Sequence, residues 1–159
     1  MVEAARPATV ADLARLSELA RVAGDELRPT RGGSVFLARE AAGQTDGPDL
    51  AVVGPSAEPP RQVWAGTIDE VVIGYAAAHV EKLADGAAHG VIDAFFVEEA
   101  ARGVGVGEAM MDLALQWLRD CGCSGVDAVA LPGHRATKNF FEETGFTARL
   151  LVMYRRLDD

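Results

Sequence analysis

Between Val97 and Gly107 the chain reads Val-Glu-Glu-Ala-Ala-Arg-Gly-Val-Gly-Val-Gly, with glycine at every second position after Arg102. Gly103, Gly105 and Gly107 let a backbone take positive φ and approach a ligand without a Cβ in the way. If a helix follows, successive N–H groups from Gly103, Val104, Gly105, Val106, Gly107 and Glu108 converge on one concavity at its positive end. That is a site for phosphate oxygens, and Arg102 adds a permanent cation beside it. Glycines at a helix start are also plain turn chemistry, so the rivals must be tested on spacing. A P-loop needs Lys-Ser or Lys-Thr after its last glycine, and here Glu108-Ala109 follows. A dinucleotide fold needs Gly-x-Gly-x-x-Gly and an acid about 20 residues on. The spacing here is Gly-x-Gly-x-Gly, and Asp127 stands near the start of its predicted strand, with too little chain after it for the second half of that fold.

Other residues capable of chemistry are few. Cys121 and Cys123 are the two cysteines. They lack the further ligands a zinc site requires, and no metal is expected. Asp93 interrupts an otherwise apolar predicted strand. It reads either as a general base, or partner of a base-held water, or as a carboxylate paired with an arginine. His79 and His89 flank the same region as weaker base candidates, or as exposed histidines. Net charge is −9 with a pI near 4.8. Nucleic acid is excluded, because phosphate binding needs a basic face; a cationic amine is compatible with this charge. No signal-like segment follows Met1, and the longest apolar stretch, Val71 to Ala78, is too short to span a bilayer. A cytoplasmic protein is expected.

The elements that must position these residues follow from periodicity. Glu3 to Ala8 reads as a strand, and Thr9 to Asp12 as a capping-box start to a helix ending near Gly24. Ser34 to Ala42 is a second helix. Residues 43–61 are rich in proline and glycine and read as a loop, with at most a short strand at Leu50–Val53. Val63 to Ile68 and Val71 to Val80 form a hairpin through Asp69-Glu70. In Ala88 to Val97, strict alternation places Val91, Asp93, Phe95 and Val97 on one face and Ile92, Ala94 and Phe96 on the other. Both faces are mostly apolar, so this strand is central. A helix over about 105–121 buries Met110, Leu113, Ala114, Trp117 and Cys121. Then come a strand from Val126 to Leu131, a helix from His134 to Thr144 closed by Gly145, and a last strand or pair of strands from Phe146 to Leu157. The order implies one α/β domain over 1–159, an α+β mixed sheet of about six to seven strands with about four helices.

In that order and context, several segments resemble the GNAT superfamily of acetyltransferases. Arg102-Gly103-Val104-Gly105-Val106-Gly107, after a strand ending Phe95-Phe96-Val97, is similar to its acetyl-CoA motif. Ala5-Arg6-Pro7-Ala8-Thr9 resembles its opening, Ile73-Gly74-Tyr75-Ala76 its third strand, and Met153-Tyr154-Arg155-Arg156-Leu157 its last strand. Phe140-Phe141-Glu142-Glu143-Thr144-Gly145-Phe146 is similar to its Leu-Tyr-Glu-Lys-x-Gly-Phe signature. The resemblance implies a GNAT-like fold in which Ala88–Val97 and Val126–Leu131 splay apart around pantetheine. Backbone groups of Phe95 and Val97 would bond the arm, with Phe96 beside them, and the amides of 104–108 would bond the pyrophosphate. It also implies an acetyl group moving from acetyl-CoA to an amine by direct attack. His134, Asn139 and Phe141 would touch the cofactor, and Asp93 would serve as base.

Two departures bear on chemistry. Where the family's signature carries a tyrosine acid, this chain has Phe141, which cannot donate a proton; Tyr154, Tyr75 or water would have to substitute, and Tyr154 is the nominated side chain. His134 stands where asparagine is usual. The resemblance implies an acceptor that is an amine of a small molecule or of a protein. The alternative is a non-catalytic acyl-CoA-binding regulatory module, and a homodimer is compatible with either.

Overall fold

A computed structural model describes residues 1–39 and 58–158. Five strands form one mixed sheet in the order β1-β2-β3-β4-β5. They are β1 (Glu3–Pro7), β2 (Arg61–Ile68), β3 (Val71–Lys82), β4 (Ala88–Val97) and β5 (Val126–Ala128). Four helices accompany them: α1 (Leu13–Leu27), α2 (Gly33–Arg39), α3 (Val106–Asp120) and α4 (Arg135–Glu143). The first four strands are antiparallel neighbours, and β5 runs parallel to β4.

The sheet separates two apolar layers. On one face α3 buries Val106, Met110, Met111, Ala114 and Leu118 against Trp64, Ala76 and Ile92. On the other, Leu16, Leu19, Ala20 and Ala23 of α1 cover Val63, Ala65, Tyr75, Ala77 and Phe96. The buried stripe of α3 thus lies about one residue round from the expected one. Leu113 and Trp117 are half-buried at its margin, where Trp117 meets Trp64 edge-on at 5.7 Å. Two opposed glycines set the depth of α3. A Cβ on Gly66 would stand 2.5 Å from Val106 Cγ1, and one on Gly74 would stand 3.3 Å from Met110 Cε. The start of α3, and so the glycine loop before it, is seated against the sheet by that lack of side chains.

The expected elements are present with shifted ends. α1 continues past Gly24 to Leu27, because Gly24 is buried within the helix and Pro29 ends it two residues later. β2 begins at Arg61, inside the stretch read as loop. The hairpin Asp69-Glu70 has φ of +47° and +70°, the type I′ geometry, without any glycine. The expected strand at Leu50–Val53 and the end of the second helix lie outside the described residues.

Three expectations are corrected. Among the described residues the strands number five, slightly fewer than the six to seven expected. β5 stops at Ala128 instead of Leu131. Residues 146–158 form no strand, and none of the described strands pairs with them: a sheet needs a neighbour as well as a pattern.

Candidate active site

The site is built where β4 departs from regular pairing. Ala77 stands opposite Ala94 and Ala78 opposite Ile92, so Asp93 is an extra residue, a β-bulge. This overturns the simple alternation read from the sequence. Ile92 belongs to the α3 layer while Ala94 and Phe96 belong to the α1 layer. A bulge bends its strand and re-aims one side chain. β5 follows β4 only as far as the pair Ile92–Ala128, one residue before the bulge. Among the described residues, the pairing of β4 with β5 does not extend past Ile92.

Between the two diverging chains lies a cavity of about 260 Å³. Asp93 to Val97 form one wall, and Val129, Ala130 and Leu131 form the other. Arg102, Gly103, Gly107 and Glu108 close one end, with His134, just before α4, and Asn139 and Phe141 of α4 beside them. Gly103 and Gly105 have φ of +81° and +103°, so a left-handed backbone is required at both. α3 begins at Val106, and the N–H groups of its first turn have no acceptor within the helix. Gly107 is a close-packing glycine: a Cβ there would stand 3.1 Å from the Phe140 ring.

Most of the expected cofactor-site residues therefore come together. Phe95, Phe96, Val97, Arg102, Gly103, Gly107, Glu108, His134, Asn139 and Phe141 all line the cavity, as does Asp93. Val104, Gly105 and Val106 do not. They form the turn behind it, and Val106 is in the core at 1% exposure. Tyr154 is 61% exposed on the C-terminal segment and is not part of the lining. Phe141 is buried in a ring cluster, 5.9 Å from Phe95 and 5.5 Å from Phe146. Phe140 stacks on Phe95 at 5.0 Å. Tyr75 is fully buried in the α1 layer, and burial raises its phenol well above the ordinary value.

Two ion clusters border the cavity, one at Asp93 on the β4 wall and one at the end that Arg102 and His134 close. Asp93 accepts from Arg61 Nη1 at 2.5 Å and Nη2 at 3.2 Å, and its Oδ2 lies 2.6 Å from His79 Nδ1. The other nitrogen of His79 lies 3.1 Å from Glu81. Chiefly because of the Asp93 contact, the imidazole is held more basic than usual; partial burial works against that, and Glu81 adds to it. The second cluster is centred on Glu26 of α1. Its Oε2 accepts from Arg102 Nη2 at 2.8 Å, and its Oε1 lies 3.1 Å from His134 Nε2. Thr137 Oγ1 and His134 Nδ1 are 2.5 Å apart. Arg102 also donates Nε to the Val97 carbonyl at 2.9 Å and lies 5.6 Å over the Phe96 ring. The arginine is thus committed to protein partners, and the Val97 carbonyl is already bonded. Glu26 is held more acidic than usual, first by Arg102 and then by His134, against the opposing effect of burial.

Glu26 and Arg61 escaped the sequence reading. A signal existed for Glu26: it follows Leu16, Leu19 and Ala23 at helical spacing, so an acid continues a buried stripe. None existed for Arg61, whose partner lies 32 residues away.

Parted parallel strands around a cavity, closed by a glycine turn and a helix N-terminus, define the class: an α/β fold with a cleft where its two parallel strands separate. The sequence profile of the acetyltransferase (GNAT) family matches residues 34–146, and the chain belongs to that family. Its members transfer acyl groups from acetyl-CoA. A comparison with curated proteins finds no significant match. Among solved structures, a mutant of the BH1408 protein from Bacillus halodurans is similar at 18% identity and TM-score 0.76, covering 99% of both chains. A ribosomal-protein-alanine N-acetyltransferase from Brucella melitensis is 13% identical at TM-score 0.68, covering 98% of this chain and 99% of its own. AAC(6')-Iy in complex with a CoA-S-monomethyl-acetylneamine bisubstrate analogue is 16% identical at TM-score 0.66, covering 98% and 99%. At these identities the likeness is one of fold. No helix among the described residues is long and apolar enough to cross a membrane.

Proposed function

We propose that this chain is an N-acetyltransferase that moves an acetyl group from acetyl-CoA to an amine by direct attack. The observation that supports it best is the stretch of β4 from Ala94 to Val97, beyond its last pair with β5 among the described residues, facing a cavity that ends at the glycine turn and the start of α3. Backbone groups on that stretch can bond the amides of a pantetheine arm as a further strand would. The amides from Val104 to Glu108 suit the diphosphate. Acetyl-CoA supplies the activated acyl group as a thioester.

The protein's own work is then positioning, charge stabilisation and proton removal. The β4 N–H near Phe95 suits the oxygen that gains negative charge during attack. An alkyl amine is mostly protonated at neutral pH, so its proton must leave. Asp93 is the acid on the cavity wall in position for that task, directly or through water. Both of its oxygens already accept hydrogen bonds, so Arg61 and His79 fix where its carboxylate points. With Phe141 locked in the ring cluster and Tyr154 off the cavity, water protonates the leaving thiolate. A Cys-like thiol has a free pKa of about 8.5, and its anion is a tolerable leaving group. The carboxylates Asp93, Glu26 and Glu143 in the lining favour a cationic acceptor.

The test is thiol release from acetyl-CoA over a panel of small amines and N-terminal peptides, beside a calorimetric CoA titration. Turnover with at least one amine, dependent on the amine, is expected. Tight CoA binding with no turnover on any amine would replace this reading with the acyl-CoA-binding module.

A further inference from the structure

The cavity passes through the sheet. Ala94 and Phe96 of β4 belong to the α1 layer, while Phe95 stacks on Phe140 on the α3 side, yet all four line it. The glycine turn stands at the α3 side, just before that helix. On the α1 side the lining changes character. Ala23 and Leu27 of α1, Phe36 of α2 and Leu131 after β5 join Ala94 in an apolar wall. Phe36, Leu37 and Leu131, with Leu27 packed against them, form an apolar cluster apart from both sheet layers. Three of these four also line the cavity, so the cluster turns carbon surface towards whatever enters.

The wall is built to stay in place. At the α1–α2 corner, Thr30 donates its N–H and its Oγ1 to the Leu27 carbonyl, at 3.0 and 2.5 Å. A Cβ on Gly33 would stand 2.1 Å from that same carbonyl, so the start of α2 lies closer to α1 than a side chain would allow. Phe36 follows one turn further along α2 and is 8% exposed.

We propose that this wall selects the acceptor: resting on the acetyl-transfer reading above, the substrate is a monoamine whose nitrogen carries a compact apolar group, and Phe36 sets that specificity. The attacking nitrogen needs one carboxylate, and Asp93 on the β4 wall is there to meet it. Glu26, the acid that α1 contributes, already accepts from Arg102 at 2.8 Å and lies 3.1 Å from His134. A second ammonium would have to compete with both. Burying it against Phe36 and Leu131 without a carboxylate of its own is strongly unfavourable. Sugar hydroxyls on the same surface would lose their hydrogen bonds to water without replacement. Each methylene buried there is favourable.

Steady-state thiol release at saturating acetyl-CoA over ethylamine, propylamine, butylamine, pentylamine and 1,5-diaminopentane tests this. kcat/KM should rise about four-fold per added methylene, the transfer free energy of one CH2 read as a rate ratio. Pentylamine should exceed 1,5-diaminopentane by about ten-fold or more. In Phe36→Ala the rise should fall to about two-fold per methylene, with the KM for acetyl-CoA unchanged. A flat series, or a diamine that matches pentylamine, would overturn the proposal and leave acetyl transfer standing. An undiminished rise in folded Phe36→Ala would overturn the role given to Phe36. If that variant fails to fold, Phe36→Leu and the series on the unaltered chain decide. Absence of turnover on every amine, beside normal CoA binding, would instead strike the acetyl-transfer reading on which the proposal rests.

Discussion

The two clusters flanking the cavity share one composition and differ in burial. Arg61–Asp93–His79 sits on the sheet, with Arg61 and Asp93 side chains 15% and 13% exposed; Arg102–Glu26–His134 bridges the glycine loop, α1 and α4, with Arg102 and Glu26 at 30% and 31%. The first is made by cross-strand neighbours, since Arg61 pairs with His79 in the β2–β3 register and the bulge swings Asp93 towards both. Its geometry is inherited from a rigid sheet. The second joins three elements that only the tertiary fold brings together, and it occupies the cation that would otherwise face an anionic ligand. The sheet cluster therefore suits chemistry that needs a fixed carboxylate. The loop cluster suits an ion pair that can open when a ligand competes for Arg102.

The largest expected effect separates the two by activity. Asp93→Asn should lower kcat by about 10²–10⁴-fold, the range for loss of a positioned acid–base group, with little change in the KM for acetyl-CoA. An equal fall for Glu26→Gln would erase the distinction. Next comes stability. Arg61→Met leaves the Asp93 carboxylate poorly compensated and should cost about 3 kcal/mol, as for breaking a buried pair. Glu26→Gln, at a more exposed pair, should cost at most about 1 kcal/mol. Urea unfolding of both variants gives the comparison, and equal costs would break it.

Affinity should move by less, and in an unusual direction. Freeing Arg102 in Glu26→Gln should tighten CoA binding a few-fold. Dephosphorylated pantetheine, which lacks the diphosphate, should bind as before. Calorimetry on both ligands decides, and weaker CoA binding would show that Glu26 holds the site open.

The smallest effect is in pH dependence. His79 is raised above its ordinary 6.5, so its stabilisation is fully present below that value and fades as pH rises through the folded-state value. Asp127 behaves in the opposite sense. Chiefly through Arg149, its pKa is lowered to about 2, so its contribution stands above about 3.8 and is lost as pH falls towards 2. Unfolding of His79→Gln across pH 5 to 9 should be flatter than that of the unaltered chain by well under 1 kcal/mol. An unchanged slope would assign the proton elsewhere.

Much of the frame was legible because it rests on local rules. The glycine turn, the stripes of α1 and α3, and the central β4 are each written in types and spacing over a dozen residues. Asp93 stood out as an acid in an apolar strand, and the missing phenol at Phe141 was visible at once. What failed did so for one reason. Strict alternation assumed an unbroken register along β4, and the bulge at Asp93 that shifts it is a property of the β3–β4 pair. The last strand failed likewise: residues 146–157 have the pattern, but pattern supplies only one side of a ladder.

The sequence by itself determined that this chain forms a mixed α/β fold with a phosphate-suited turn before a helix, because backbone freedom at glycine and helical periodicity are local. Only the tertiary structure decided that Arg102 faces Glu26, that Arg61 and His79 hold Asp93, and that β5 runs beside β4 only as far as Ile92. Those are long-range pairings, and an ion pair or a strand neighbour is chosen by where folding brings a partner to rest.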